Sequence, residues 1–135
     1  PSNYSIGTLY TPAFCRRLAR RLAPDALFVV QSTSPLFARQ AYWCVVETIR
    51  AAGLEAWPYH AYVPSFGEWG FVLAGRGPWA PPRRLPPDLR FVTATQLPSM
   101  FEFPPDMAPV EAEVNRLNNQ ALVHYYEREW SAIAR

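Results

Sequence analysis

Lysine is absent from this chain. All 13 basic residues are arginine, set against 11 acidic ones, for a net charge of +2. So small an excess gives no reason to expect nucleic acid as a partner. The missing lysine reads as compositional bias and identifies no function. Arg16, Arg17, Arg20 and Arg21 cluster, but their spacing fits the solvated face of one helix better than a phosphate patch. Cysteine is scarce: Cys15 and Cys44 lie far apart, each in a helix-like stretch, with no CxxC. That excludes a disulfide framework and leaves buried free thiols in a reducing, cytosolic setting as the expectation. His60 and His124 have no Cys, Asp or Glu at ligand spacing, so no zinc site is expected. No apolar run reaches the ~18–20 residues of a membrane span. The longest, Pro35 to Ala52, is interrupted by Arg39, Gln40, Glu47 and Arg50. The start, Pro1-Ser2-Asn3-Tyr4, carries no basic-then-apolar leader and no initiator Met, so a segment of something longer is expected. There is no GxGxxG and no internal repeat.

What is present is a core. Half of the 135 residues are hydrophobic and 15% are aromatic, which suits one folded domain and not a disordered chain. Thr11-Pro12 caps and opens a helix to about Leu22, with Phe14, Leu18 and Leu22 as an apolar stripe. Leu27 to Gln31 is a short continuous apolar run, the pattern of a strand buried on both faces. Ser34-Pro35 starts a second helix, about Pro35 to Ala52, ended by Gly53. Glu55 to Val63 and Trp69 to Gly75 form a hairpin across a five-residue turn. A strand–helix–strand unit predicts a parallel pair, and the hairpin then reverses the last strand. The expected fold class is α/β with about three strands and flanking helices. Residues 77–90 form a proline-rich connector between an α/β part, 1–76, and a helical extension, 91–135. The extension holds a short helix, about Ala94 to Phe101, and an amphipathic one, about Asn118 to Ala134, with Leu122, Tyr125, Tyr126, Trp130 and Ile133 inclined to one side.

The stretch with the most chemical content is Val63-Pro64-Ser65-Phe66-Gly67-Glu68-Trp69-Gly70-Phe71. It places two rings and a carboxylate on one turn, a combination suited to an organic cation. Gln31 falls at the carboxyl end of the first strand, where open parallel sheets bind ligands. Blander readings stand beside these. Trp69 and Phe71 also fit a core, Glu68 fits a solvated turn, and Gln31 fits a cap on a strand-end backbone group. Tyr125, Tyr126 and Trp130 fit packing.

Four segments carry a family resemblance: Gly7-Thr8-Leu9-Tyr10; Val30-Gln31-Ser32-Thr33-Ser34-Pro35; Tyr59 to Phe71; and Asn115 to Gln120 with Tyr125-Tyr126-Glu127-Arg128-Glu129-Trp130. Together they resemble the carboxyl-terminal part of the catalytic domain of polyamine aminopropyltransferases, the spermidine synthase family. The nearest likeness is to the bacterial branch joined to membrane helices. The resemblance implies the carboxyl-terminal half of a methyltransferase-like Rossmann sheet, with its final strand reversed and inserted beside the earlier one. It also implies transfer of an aminopropyl group from decarboxylated S-adenosylmethionine, as co-substrate, to putrescine or a related amine, without metal, redox or prosthetic group. Polyamine-binding residues would be Gln31, Phe66, Glu68 and Trp69, with Phe66 standing where a Tyr is common and Glu68 lacking a firm counterpart. The loop Ser2 to Leu9 would close over the co-substrate through Ser5, Ile6 and Leu9. The family's catalytic Asp belongs to an Asp-Pro pair whose Pro would be Pro1, so no catalytic residue is expected here and the isolated chain is expected to be inactive. The segment would be soluble and lie on the cytoplasmic face of a membrane-linked parent. Two alternatives remain open: a methyltransferase-like Rossmann protein of other chemistry, and a non-catalytic module that self-associates. A cut beside Leu27 to Gln31 would expose a sheet edge, so a homo-oligomer is expected.

Overall fold

The computed structural model describes residues 7–134. A 3-10 turn, Thr8–Tyr10, leads into α1, Pro12–Arg21. Then follow β1, Leu27–Ser32; α2, Arg39–Ala51; β2, Glu55–Val63; and β3, Gly67–Gly75. A second 3-10 turn, Leu97–Phe101, and α3, Ala121–Ile133, complete the order. The three strands form one antiparallel sheet in the order β1-β3-β2. This is a mixed α/β arrangement with flanking helices, consistent with a partial Rossmann-like domain. No helix among the described residues is long and apolar enough to cross a membrane.

Local chemistry sets the helix ends. The Thr11 hydroxyl accepts from the Phe14 N–H at 3.3 Å, and Pro12 starts α1. Arg20 and Arg21 in the last turn complement the helix dipole. α2 starts at Arg39, four residues later than expected, because the Ser34 hydroxyl accepts from the N–H groups of Leu36 and Phe37 and holds a separate turn. It ends where Gly53 adopts φ +83°. The hairpin loop is Pro64–Phe66, three residues rather than five, since Val63 already pairs with Gly67. Ser65 at φ 72° and Gly67 at φ 78° supply the left-handed turn.

Three expectations are corrected. β1 and β2 point the same way but are not bonded to each other as a pair; β3 is inserted between them and runs antiparallel to both, as the reversed, inserted final strand of the resemblance implies. β1 is an edge strand, not one buried on both faces. Phe28 and Val30 are half-buried on the face packed against α2, while Leu27, Val29 and Gln31 are exposed on the other. The buried stripe of α1 is Cys15 and Ala19, one position on from Phe14 and Leu18. Those two side chains line an apolar cleft with Leu9, Phe28 and Ile49, and Phe14 stays partly exposed.

The core centres on α2, whose residues Ala41 to Val46 are all buried. Tyr42 crosses to the sheet, its hydroxyl lying 3.2 Å from the Tyr59 carbonyl and 3.0 Å from the Phe71 carbonyl. Burial pushes its phenol far above the usual range, so it stays neutral. The chain after β3 folds back onto this core. Trp79 lies between Trp57 and Phe101, at 5.5 Å from each. Phe103 packs against Trp43 at 5.0 Å. The Trp43 indole donates to the Met107 carbonyl at 3.0 Å, and Arg39 donates to Ala108 and Pro105. Asn115, fully buried, donates to the carbonyls of Gly7 and Tyr10 and accepts from the Leu122 N–H, tying both ends of the chain together.

Candidate binding site at the open end of the sheet

The carboxyl end of β1 and the first half of β3 meet where the register sets Gln31 against Phe71 and Ser32 against Gly70. Strand alternation places Trp69 and Phe71 on the same face as Gln31. Two cavities open there, and Gln31 and Trp69 belong to both. The first, of about 300 Å³, is lined also by Tyr10, Thr33 and Tyr126. The second, of about 250 Å³, is lined also by Val63, Phe66 and Phe71. Trp69 is thus the wall between them.

The Trp69 ring contacts Phe66 edge-on at 5.5 Å and Trp130 of α3 at 6.4 Å. Trp130 is itself fixed by its indole N–H, which donates to the Thr33 hydroxyl at 3.1 Å. The Trp69 Nε1 is buried and has no partner among the described residues. Its acceptor must come from water, a ligand or chain outside those residues. Tyr10 reaches over the first cavity, its hydroxyl 3.4 Å from the Gln31 carbonyl, and burial raises its phenol so that it remains a neutral donor. The arrangement offers aromatic faces, an amide and hydroxyls around about 300 Å³, which suits a small, elongated, hydrogen-bonding ligand.

Of the residues singled out by sequence, Gln31, Phe66 and Trp69 come together here. Glu68 does not. It is one residue from Trp69 and therefore projects from the opposite face, where its carboxylate lies 2.9 Å from His60 Nδ1. The single-turn pocket of two rings and a carboxylate is not assembled. Leu9 sits in the apolar cleft beside Phe14 and Phe28, one residue from Tyr10, which lines both that cleft and the first cavity. Ser5 and Ile6 lie outside the described residues.

No family model matches the chain. Curated relatives do. Over 133 residues it is 53% identical to a polyamine aminopropyltransferase of Leptospira interrogans, covering 98% of this chain and 27% of that protein. Over 137 residues it is 51% identical to polyamine aminopropyltransferase 2 of Ralstonia nicotianae, covering all of this chain and 27% of the relative. A polyamine aminopropyltransferase of Mycobacterium tuberculosis is 38% identical over 133 residues, 96% of this chain and 25% of its own. The chain is a segment of the polyamine aminopropyltransferase family. It spans about a quarter of the length of these curated relatives.

Within this segment, the structure adds cavity-lining residues that sequence reasoning passed over. Tyr10, Ser32, Thr33 and Tyr126 line the first cavity. Tyr126 was assigned to packing because its helical period matches Leu122 and Trp130; only the docking of α3 beside β1 shows that its ring also faces the cavity. The sequence reading sets His60 aside because no Cys, Asp or Glu stands at metal-ligand spacing from it. The signal was in the hairpin register, which sets His60 opposite Gly70 and Glu68 opposite Tyr62, a diagonal pair on one face.

Proposed function

We propose that this segment is the carboxyl-terminal part of an aminopropyltransferase catalytic domain and forms one wall of its amine pocket. The observation that carries the reading is the pair of cavities sharing Gln31 and Trp69. In this reading Trp69 and Phe66 present ring faces to a polyamine ammonium, and the Gln31 amide oxygen accepts one of its hydrogens. Ser5, Ile6 and Leu9 belong to the loop that closes over decarboxylated S-adenosylmethionine.

The chemistry is a displacement. A neutral amine nitrogen forms a bond to the carbon beside the sulfonium, the carbon–sulfur bond breaks with its electron pair going to sulfur, and the surplus proton leaves the new ammonium for a base. No carboxylate lines either cavity. Asp25 lies at the opposite end of the sheet beside Trp79, and Asp88 and Asp106 are exposed. The base therefore comes from another part of the longer protein, as does the remainder of the co-substrate site. The membrane helices of the resembling branch would likewise lie elsewhere in that protein. β1, with a free edge here, would be paired by an upstream strand of it.

The test uses the full-length protein. Trp69→Ala should raise the KM for putrescine about two- to thirtyfold, as expected from a cation–π contact of roughly 0.5–2 kcal/mol, and leave the KM for decarboxylated S-adenosylmethionine within twofold. Equal changes in both constants would assign Trp69 to the core. Methyl transfer from S-adenosylmethionine with no aminopropyl transfer would replace this reading by the methyltransferase alternative.

A further inference from the structure

We infer that Asn115 is a positioning residue for the amine pocket: it holds the two elements that wall the first cavity, the turn from Gly7 to Tyr10 and the start of α3. The inference rests on the reading of that cavity as part of the amine pocket.

Asn115 opens the segment Asn115 to Gln120, one of those that carry the resemblance, and the cavity linings do not include it. It is fully buried, yet both amide hydrogens and the amide oxygen are engaged. Nδ2 donates to the Gly7 carbonyl at 3.1 Å and to the Tyr10 carbonyl at 3.0 Å. Oδ1 accepts from the Leu122 N–H at 3.0 Å. The backbone N–H donates to the Thr48 hydroxyl of α2 at 2.9 Å, and that hydroxyl donates on to the Cys44 carbonyl at 2.7 Å. One residue thus joins the first turn, α2 and α3. An apolar side chain would fill the same space without the cost of burying an amide; what the amide adds is direction.

The groups it directs line the cavity. Tyr10 is anchored at both ends, its carbonyl by Asn115 and its hydroxyl 3.4 Å from the Gln31 carbonyl, and between them it lines the first cavity. Leu122 and Tyr126, one turn apart on α3, line it too. The start of α3 has no cap from the Gln120 side chain. Its orphan donors go to Asn115 Oδ1 from Leu122 and to Asn119 Oδ1 from Ala121, the latter also at 3.0 Å. The turn is also pressed against α3, since a Cβ on Gly7 would lie 3.0 Å from Val123 and 3.1 Å from the Gln120 amide oxygen. Asn115 therefore sets where Tyr10 stands relative to Gln31 and Tyr126 while touching neither cavity.

The experiment compares variants of the full-length protein by putrescine KM and by denaturation midpoint. Asn115→Asp keeps an oxygen for the Leu122 N–H but, as a carboxylate, has no hydrogen for Gly7 and Tyr10. It should raise the KM about three- to tenfold, the span of one lost hydrogen bond. Gly7→Ala pushes the same turn from the α3 side with Asn115 intact, and should raise the KM about two- to fivefold. Thr48→Val breaks the network on its α2 side, at a residue that lines neither cavity, and should lower the midpoint with the KM within twofold. In a Tyr10→Ala background the ring being positioned is gone, so Asn115→Asp should add less than twofold. A full additional effect in that background, a KM change in Thr48→Val as large as in Asn115→Asp, or an unchanged KM in both Asn115→Asp and Gly7→Ala overturns the proposal. The pocket reading fails by a different result, an unchanged putrescine KM in Trp69→Ala.

Discussion

Gly70 is the residue on which the sheet and the helix layer are fitted. A Cβ at this position would lie 2.3 Å from the Tyr42 ring and 2.7 Å from the Thr33 carbonyl. Tyr42 has nowhere to go, being fully buried with its hydroxyl between two strand carbonyls. The Gly70 N–H also donates to that Thr33 carbonyl at 3.1 Å, so the backbone is fixed as well. Gly70→Ala should therefore cost about 3 kcal/mol, the upper part of the overpacking range, read as a lower denaturation midpoint at unchanged slope. A loss under about 1 kcal/mol would mean that Tyr42 repacks. The two thiols, by contrast, are quiet. Both are buried and free, and burial pushes Cys44 up to about 12, so it stays a protonated, unreactive thiol at neutral pH.

At the level of elements, the start of α2 depends on a residue from the far end of the chain. Ala38 at its N-cap offers no side-chain acceptor. Instead the Glu129 carboxylate of α3 accepts from the N–H groups of Gln40 and Ala41, each at 2.9 Å. It satisfies two orphan donors and sets a negative charge at the positive end of the helix dipole. Glu129→Ala should cost about 1–2 kcal/mol, and Glu129→Gln somewhat less, in chemical denaturation. A smaller effect for both would mean that water takes over the cap. This contact also marks the limit of what sequence showed. β2 was legible to the residue, because Gly53 ends the helix before it and the hydrophobic pattern is unbroken. The α1 start was legible from Thr11-Pro12. The delayed start of α2 was not, since Ser34-Pro35 reads as a cap and the real partner, Glu129, is remote. The same holds for the site. That Gln31, Phe66 and Trp69 meet at one end of the sheet was legible from strand ends and ring content. The face on which Glu68 falls required the hairpin register, and the role of Tyr126 required the docking of α3.

Taken as a whole, the segment has one finished side and one unfinished one. Among the described residues no strand lies beside the outer edge of β1, and Val29 is 54% exposed. Phe28, Val29 and Val30 bring no charge and no proline to discourage pairing. In isolation two copies should pair along this edge. Light scattering at micromolar concentration should give a mass above 15.4 kDa, and Val29→Lys should return it to that value. A wild-type monomer would show that the edge is protected some other way. The strand order β1-β3-β2 has a temporal consequence as well. The strand that emerges last from the ribosome is the one that lies in the middle. Within this segment β1 and β2 are not bonded to each other, so they are joined only once Gly67 to Gly75 has been synthesised. β2 and β3 zip across a three-residue loop, whereas joining β1 to β3 closes a long one, the slow step on entropic grounds. Until then the apolar faces of α2 and β2 lack the strand they pack against, and the nascent chain is more prone to aggregate just before its central strand appears.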